Sequence, residues 1–217
     1  MKKLFVAFLL SLFAFSISQA QKGFTKKYNL NNFDAVDVGG NFIVKIKQSD
    51  TYSIKFVAQK EKDLADLDVK VKNGELNIGY NPGTSWGLFS SNKRGKATVY
   101  ITMPRLESLD ISGASHLDVY PFENIDNLSV GISGAAKAML SIDAHDVNVD
   151  ASGVSYLEIS GWVDELDIEI SGASHFNAKG ADIGRAKVDA SGASHANFGK
   201  VNSLKSETSG ASHVNRS

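Results

Sequence analysis

The chain has 217 residues, no cysteine, 23 Lys and Arg against 24 Asp and Glu, and a formal net charge of −1. That balance leaves no basic field, so nucleic acid is not an expected partner, and without cysteine neither disulfides nor thiolate metal centres can form. A mature chain of about 200 residues suffices for one large core or two small ones.

The first element is not expected to belong to the fold. Lys2 and Lys3 precede a nearly unbroken apolar run from Leu4 to Phe15, and Ser18-Gln19-Ala20 forms a small-x-small cleavage site. This is the pattern of a secretory signal peptide over residues 1–20, with an apolar core too short to span a bilayer comfortably. Cleavage after Ala20 leaves a chain starting at Gln21. No Cys follows the apolar run to carry a lipid, and no later stretch reads as a membrane helix, so no membrane span is expected after cleavage.

From Phe24 to about Thr102 the pattern is one of short alternating strands. Ala35–Val38 runs into Gly39-Gly40, a turn signal, and Phe42–Ile46 follows; Tyr52–Val57 comes after a second turn signal at Ser49-Asp50. Lys60 to Asp66 reads either as one helical turn or as a charged loop. Val69-Lys70-Val71 is expected to pair with Leu76-Asn77-Ile78 across Asn73-Gly74, a strong hairpin signal. Between Asn81 and Lys96 lies a long loop containing Trp86, Phe89 and Arg94. Its aromatics either fold back as a lid on the sheet or stand out as binding anchors. Ala97–Ile101 is the last strand before Pro104.

From Leu106 onward a repeat takes over. Ser-Gly-Ala-Ser-His stands at Ser112–His116, Ser171–His175, Ser191–His195 and Ser209–His213, with variants at Ser133–Lys137 and Ser152–Tyr156. The six leading serines are 21, 19, 19, 20 and 18 residues apart. Five residues after each stands Leu117, Ala138, Leu157, Phe176, Ala196 or Val214. Two residues before stands Asp110, Gly131, Asp150, Glu169, Asp189 or Glu207. Apolar and polar positions thus alternate with the period of two of half-buried strands. A unit of this length is too short for a helix crossover between parallel strands. It fits one rung of a parallel β-helix, rungs stacking at about 4.8 Å with equivalent positions superposed. Gly113, Gly134, Gly153, Gly172, Gly192 and Gly210 then mark stacked turns that need positive φ or close approach. The expected fold is all-β: a single parallel solenoid of about 20-residue rungs over residues 106–217, preceded by a β-rich part over residues 21–105.

Ser and His beside an acid, as in Asp189, Ser191 and His195, invite a catalytic-triad reading. Repetition argues against it: a triad needs one nucleophile, one oriented base and one oxyanion hole in an irregular pocket. No catalytic residue is assigned. His175, His195 and His213, flanked by the acid column, could offer Zn²⁺ nitrogen and carboxylate ligands. Metal ligands converge on a point, however, whereas a ladder holds its side chains parallel, so the expectation is a stacked His ladder with no metal and no cofactor.

Several separated motifs resemble those of the GIN domain, the exported head domain of auto-transporter adhesins in many Gram-negative bacteria. They are Phe33–Val38, Phe42–Gln48, Asn73–Leu76, Pro104–Leu109 leading into Ser112–Ser115, and the recurring Ser-Gly phrases. The resemblance covers Phe33 to Val214. It implies an exported β-helical domain with an adhesive or surface-binding role, and it carries no catalytic residues over; the His closing four phrases is not part of it. The expected function is therefore non-catalytic adhesion or recognition at the cell envelope, in the periplasm or on the outer surface of a Gram-negative cell. The ligand would be an envelope glycan or protein. Trp86, Phe89, Arg94, His175, His195 and His213 are the candidate binding residues. A periplasmic carbohydrate-binding or carbohydrate-active β-helix and a ligand-free envelope scaffold are the alternatives. The last rung, with polar Ser206 and Thr208 where earlier units place aliphatics, leaves an open edge that is expected to pair with another copy of the chain or with a partner strand.

Overall fold

A computed structural model describes residues 23–81 and 95–217. The expected signal segment, residues 1–20, lies outside them. Fourteen strands join in one sheet wound into a solenoid. In chain order they are β1 (Phe24–Tyr28), β2 (Ala35–Gly40), β3 (Phe42–Gln48), β4 (Ser53–Ala58), β5 (Leu67–Lys72), β6 (Glu75–Tyr80) and β7 (Ala97–Met103). They continue with β8 (Ser108–Gly113), β9 (His116–Ile132), β10 (Lys137–Ala151), β11 (Tyr156–Ile170), β12 (His175–Ala190), β13 (His195–Thr208) and β14 (His213–Arg216). The segment from Lys60 takes the helical option, as a 3₁₀ turn at Glu61–Leu64.

Strands β9 to β14 are parallel neighbours in sequence order, each pair one repeat apart: Lys137 lies beside His116 and Tyr156, His175 beside Tyr156 and His195, and His195 beside His213. Period-two alternation turns one side inward. Leu117, Ala138, Leu157, Phe176 and Ala196 form one buried column, and Val130, Val149, Ile168 and Val188 form another. Large and small residues alternate between rungs: Phe176 stacks on Ala196 and Ala178 on Phe198, which brings the two phenyl rings to 5.5 Å. Burying one such side chain is worth about 1.5–3 kcal/mol, against about 0–1 kcal/mol for an exposed ion pair. The apolar columns therefore hold the rungs together, and the surface charges do not.

The N-terminal strands continue the same stack out of sequence order. β2 lies parallel to β8 with Gly40 beside Gly113, and β3 lies parallel to β9 with Ile43 beside His116. Gly39-Gly40 is thus a further copy of the phrase, without its serine. Outside this rung lie β6, parallel to β2, and β7, parallel to β3. The stack then ends in antiparallel strands: β5 against β6, β4 against β7, and β1 against β4. The β5–β6 hairpin turns at Asn73 and Gly74, both with positive φ (53° and 80°), as a two-residue turn of type I′ requires.

Each Ser-Gly-Ala-Ser phrase has a mechanical reason. The glycine takes positive φ, 73° at Gly192, and the next N–H donates to the glycine carbonyl one rung below, as Ala193 does to Gly172 at 2.7 Å. A Cβ on Gly192 would sit 2.6 Å from that Gly172 oxygen. The closing serine is buried at Ser115, Ser155, Ser174 and Ser194, and in the last three phrases its hydroxyl donates back to the carbonyl of the opening serine: Ser174 to Ser171 and Ser194 to Ser191 at 2.8 Å, Ser212 to Ser209 at 2.7 Å. The residue between them points to solvent; Val154 occupies that position with 68% exposure. Gly192→Val is therefore expected to cost roughly 1–3 kcal/mol, while the adjacent Ala193→Val is expected to be near neutral. Thermal or urea denaturation of the two variants checks this, and equal stabilities would count against the stacked-turn account.

Candidate functional site

The turn phrases separate two polar faces. On the side that follows the turn, register stacks His116, Lys137, Tyr156, His175, His195 and His213 in one column. The rings of His175 and His195 are 4.9 Å apart and those of His195 and His213 5.3 Å, each pair within 11° of parallel. Lys137 Nζ lies 4.9 Å from the Tyr156 ring centre, so the non-His members also stack face to face, as a cation on an aromatic. Two residues further along each strand runs a second column: Lys45, Asp118, Met139, Glu158, Asn177, Asn197 and Asn215. Asn215 Nδ2 donates to Asn197 Oδ1 at 3.3 Å.

At the other end of this face the groups are ionic. His116 Nε2 lies 3.0 Å from Asp118 Oδ1, and Lys45 Nζ donates to Asp118 Oδ2 at 3.2 Å and to Tyr120 Oη at 3.0 Å. Those two hydrogen bonds, Tyr120 first, hold the Lys45 ammonium above its ordinary pKa. The Tyr156 hydroxyl donates to Glu158 at 2.7 Å, which together with partial burial raises the phenol. Tyr100 and Tyr120 are exposed beside this cluster. The face therefore grades from charged and aromatic to amide and imidazole along the solenoid.

On the side that precedes the turn, Asp37, Asp110, Gly131, Asp150, Glu169, Asp189 and Glu207 stand in one register column. Two open grooves of about 760 and 500 Å³ follow it. Gly131 is the gap in the column, and the Asp110 carboxylate leans into the space a Cβ would take there, with Oδ1 2.2 Å from that position. Burial raises the Asp37 carboxyl above its ordinary pKa, helped by the neighbouring charges of Glu75 and Asp110. Among the described residues no group of three His, Cys, Asp or Glu is arranged to hold a metal ion.

Ser191, Asp189 and His195 do not assemble into a catalytic unit. The Ser191 carbonyl accepts from Ser194, Asp189 accepts from Lys187 at 3.0 Å, and the His195 ring stacks between two other imidazoles. Of the sequence candidates, His175, His195 and His213 come together. Trp86, Phe89 and Arg94 lie outside the described residues. The asparagine column is a further candidate, and its signal is in the sequence: Asn177, Asn197 and Asn215 each follow a phrase-closing His by two. Tyr120 and Lys45 carry no such signal.

The family model described as "Putative auto-transporter adhesin, head GIN domain" matches residues 32–217. No curated protein matches the chain. Among solved structures, a "putative adhesin" from Bacteroides fragilis superposes with a TM-score of 0.79 at 15% identity, covering 91% of this chain and 98% of that one. A "putative adhesin" from Parabacteroides merdae gives 0.60 at 15% identity, with 90% and 96% covered. A "putative lipid binding protein" from Parabacteroides distasonis gives 0.58 at 16% identity, with 90% and 96% covered. At these identities the likeness is one of fold.

The raised Asp37 carboxyl has a consequence for stability. A carboxylate whose folded pKa lies above the unfolded value of about 3.9 binds more protons in the native state, so it subtracts stability as pH rises through that window. Asp37→Asn removes the charge and is expected to raise the melting temperature more at pH 7 than at about pH 4. Calorimetry at the two pH values checks the difference, and an equal gain at both would refute the assigned cause.

Proposed function

Since the chain belongs to the family of the auto-transporter adhesin head GIN domain, we propose that it is an exported, non-catalytic recognition domain of the cell envelope. It would bind its ligand through the face that carries the His and Asn columns, in the periplasm or on the outer surface of a Gram-negative cell. The observation that carries this reading is the repetition of three His and three Asn in register along one outward face. Side chains held parallel at about 4.8 Å intervals make a surface suited to an extended ligand with its own regular spacing. They do not make the convergent constellation that a reaction needs.

The chemistry of the face favours a glycan over an apolar ligand. Amides and imidazoles exchange hydrogen bonds with hydroxyls, and exposed rings such as Tyr100 and Tyr120 supply flat apolar contact. The acid column on the opposite face serves in this reading as solvated strand-face charge.

A glycan array run beside a reducing-sugar assay tests the proposal. Binding without release of sugar ends is the expected result, and release would overturn the non-catalytic reading. His195→Ala and Asn197→Ala are each expected to weaken binding about tenfold or more, equivalent to about 1.4 kcal/mol. Binding that both variants leave unchanged would move the site elsewhere on the molecule. Labelling intact cells with a membrane-impermeant reagent tests the outer-surface location.

A further inference from the structure

The two ends of the stack are finished differently. At one end antiparallel β5 and β1 lie outermost, and charged residues, Asp68, Lys70 and Lys72 on β5 with Lys26 and Lys27 on β1, blunt those edges. At the other end β14 pairs only with His195–Phe198 of β13. The remainder of β13, from Val201 to Thr208, is paired to β12 on one side. Among the described residues it carries no strand on the other. Its inward positions Ser206 and Thr208 are polar where β12 places Val188 and Ala190. Its outward face carries charges of both signs, Lys205 and Glu207, with Nζ and Oε1 3.5 Å apart.

This edge is self-complementary. A two-fold axis perpendicular to a sheet keeps every side chain on its own face, so an antiparallel pair of identical strands must be centred on a residue. Centring on Lys205 or on Glu207 sets like charges directly opposite each other, which is destabilising. Centring on Leu204 leaves Lys205 opposite Ser203 and Glu207 opposite Val201. Centring on Ser206 sets Lys205 opposite Glu207 twice and Leu204 opposite Thr208 twice. We propose that the exposed edge of β13 pairs antiparallel with the same strand of a second copy, in the register centred on Ser206, joining two solenoids end to end. The unpaired backbone groups of both edges then bond to each other, and four charges alternate in sign across the junction.

Light scattering coupled to size exclusion, on the mature chain at about 100 μM, far above a micromolar dissociation constant, is expected to report a dimer. Lys205→Glu places Glu opposite Glu twice, and Glu207→Lys places Lys opposite Lys twice, so each variant alone is expected to elute as a monomer. Mixing the two variants restores opposite charges in a heterodimer, which is expected to recover the dimer mass. Recovery also shows that both variants are folded. A monomeric parent would overturn the proposal, as would a dimer that neither charge reversal weakens or a mixture that stays monomeric while both variants melt like the parent.

Discussion

Everything in this molecule follows from the backbone hydrogen bonds between parallel, in-register strands. Those bonds fix adjacent rungs at about 4.8 Å and superpose equivalent residues, so each choice of side chain is made for a column and not for a site. Inward columns need volumes that fill the space together, which is why Phe176 is answered by Ala196 and Phe198 by Ala178. Turn columns need a residue without a Cβ, since the carbonyl of the glycine below occupies the place of one. Outward columns need groups that tolerate their own kind as neighbours.

The outward columns show two solutions to that last demand. Flat rings stack on one another, as in His175, His195 and His213, and an amide both donates and accepts, so Asn215 bonds to Asn197. Carboxylates have no such option. Their column is interrupted at Gly131 and relieved laterally by lysines such as Lys187, which lies 3.7 Å from Asp167 and 3.0 Å from Asp189. The repulsion that remains is visible at Asp37, whose carboxyl is pushed up by burial and by Glu75 and Asp110. The two faces are thus different surfaces, one of stacked rings and amides and one of carboxylates.

Six of the stacked phrases are legible in the sequence because their spacing is short and their residues are nearly constant. The copy at Gly39-Gly40 is not, because it keeps only the glycine and lies 73 positions upstream of its neighbour, the separation between Lys45 and Asp118. Only tertiary pairing reveals it. The His column follows from spacing alone. That Lys137 and Tyr156 fill the same column as a cation–π pair depends on side-chain direction, which spacing does not encode. The Lys45–Asp118–Tyr120 cluster joins residues from opposite ends of a long excursion, and no local pattern marks it.

That excursion also sets the order in which the fold can close. Between β9 and β14 each strand pairing spans about one repeat of chain, so each new rung closes a short loop and adds to a buried column. The β2–β3 rung must instead find β8 and β9 across the hairpin and the antiparallel strands, a closure over a longer stretch of chain with a larger entropic cost. On loop length alone the C-terminal rungs are the cheapest to close. The amino-terminal rung, with the fewest partners close in sequence, is thus the part of the stack whose closure spans the most chain.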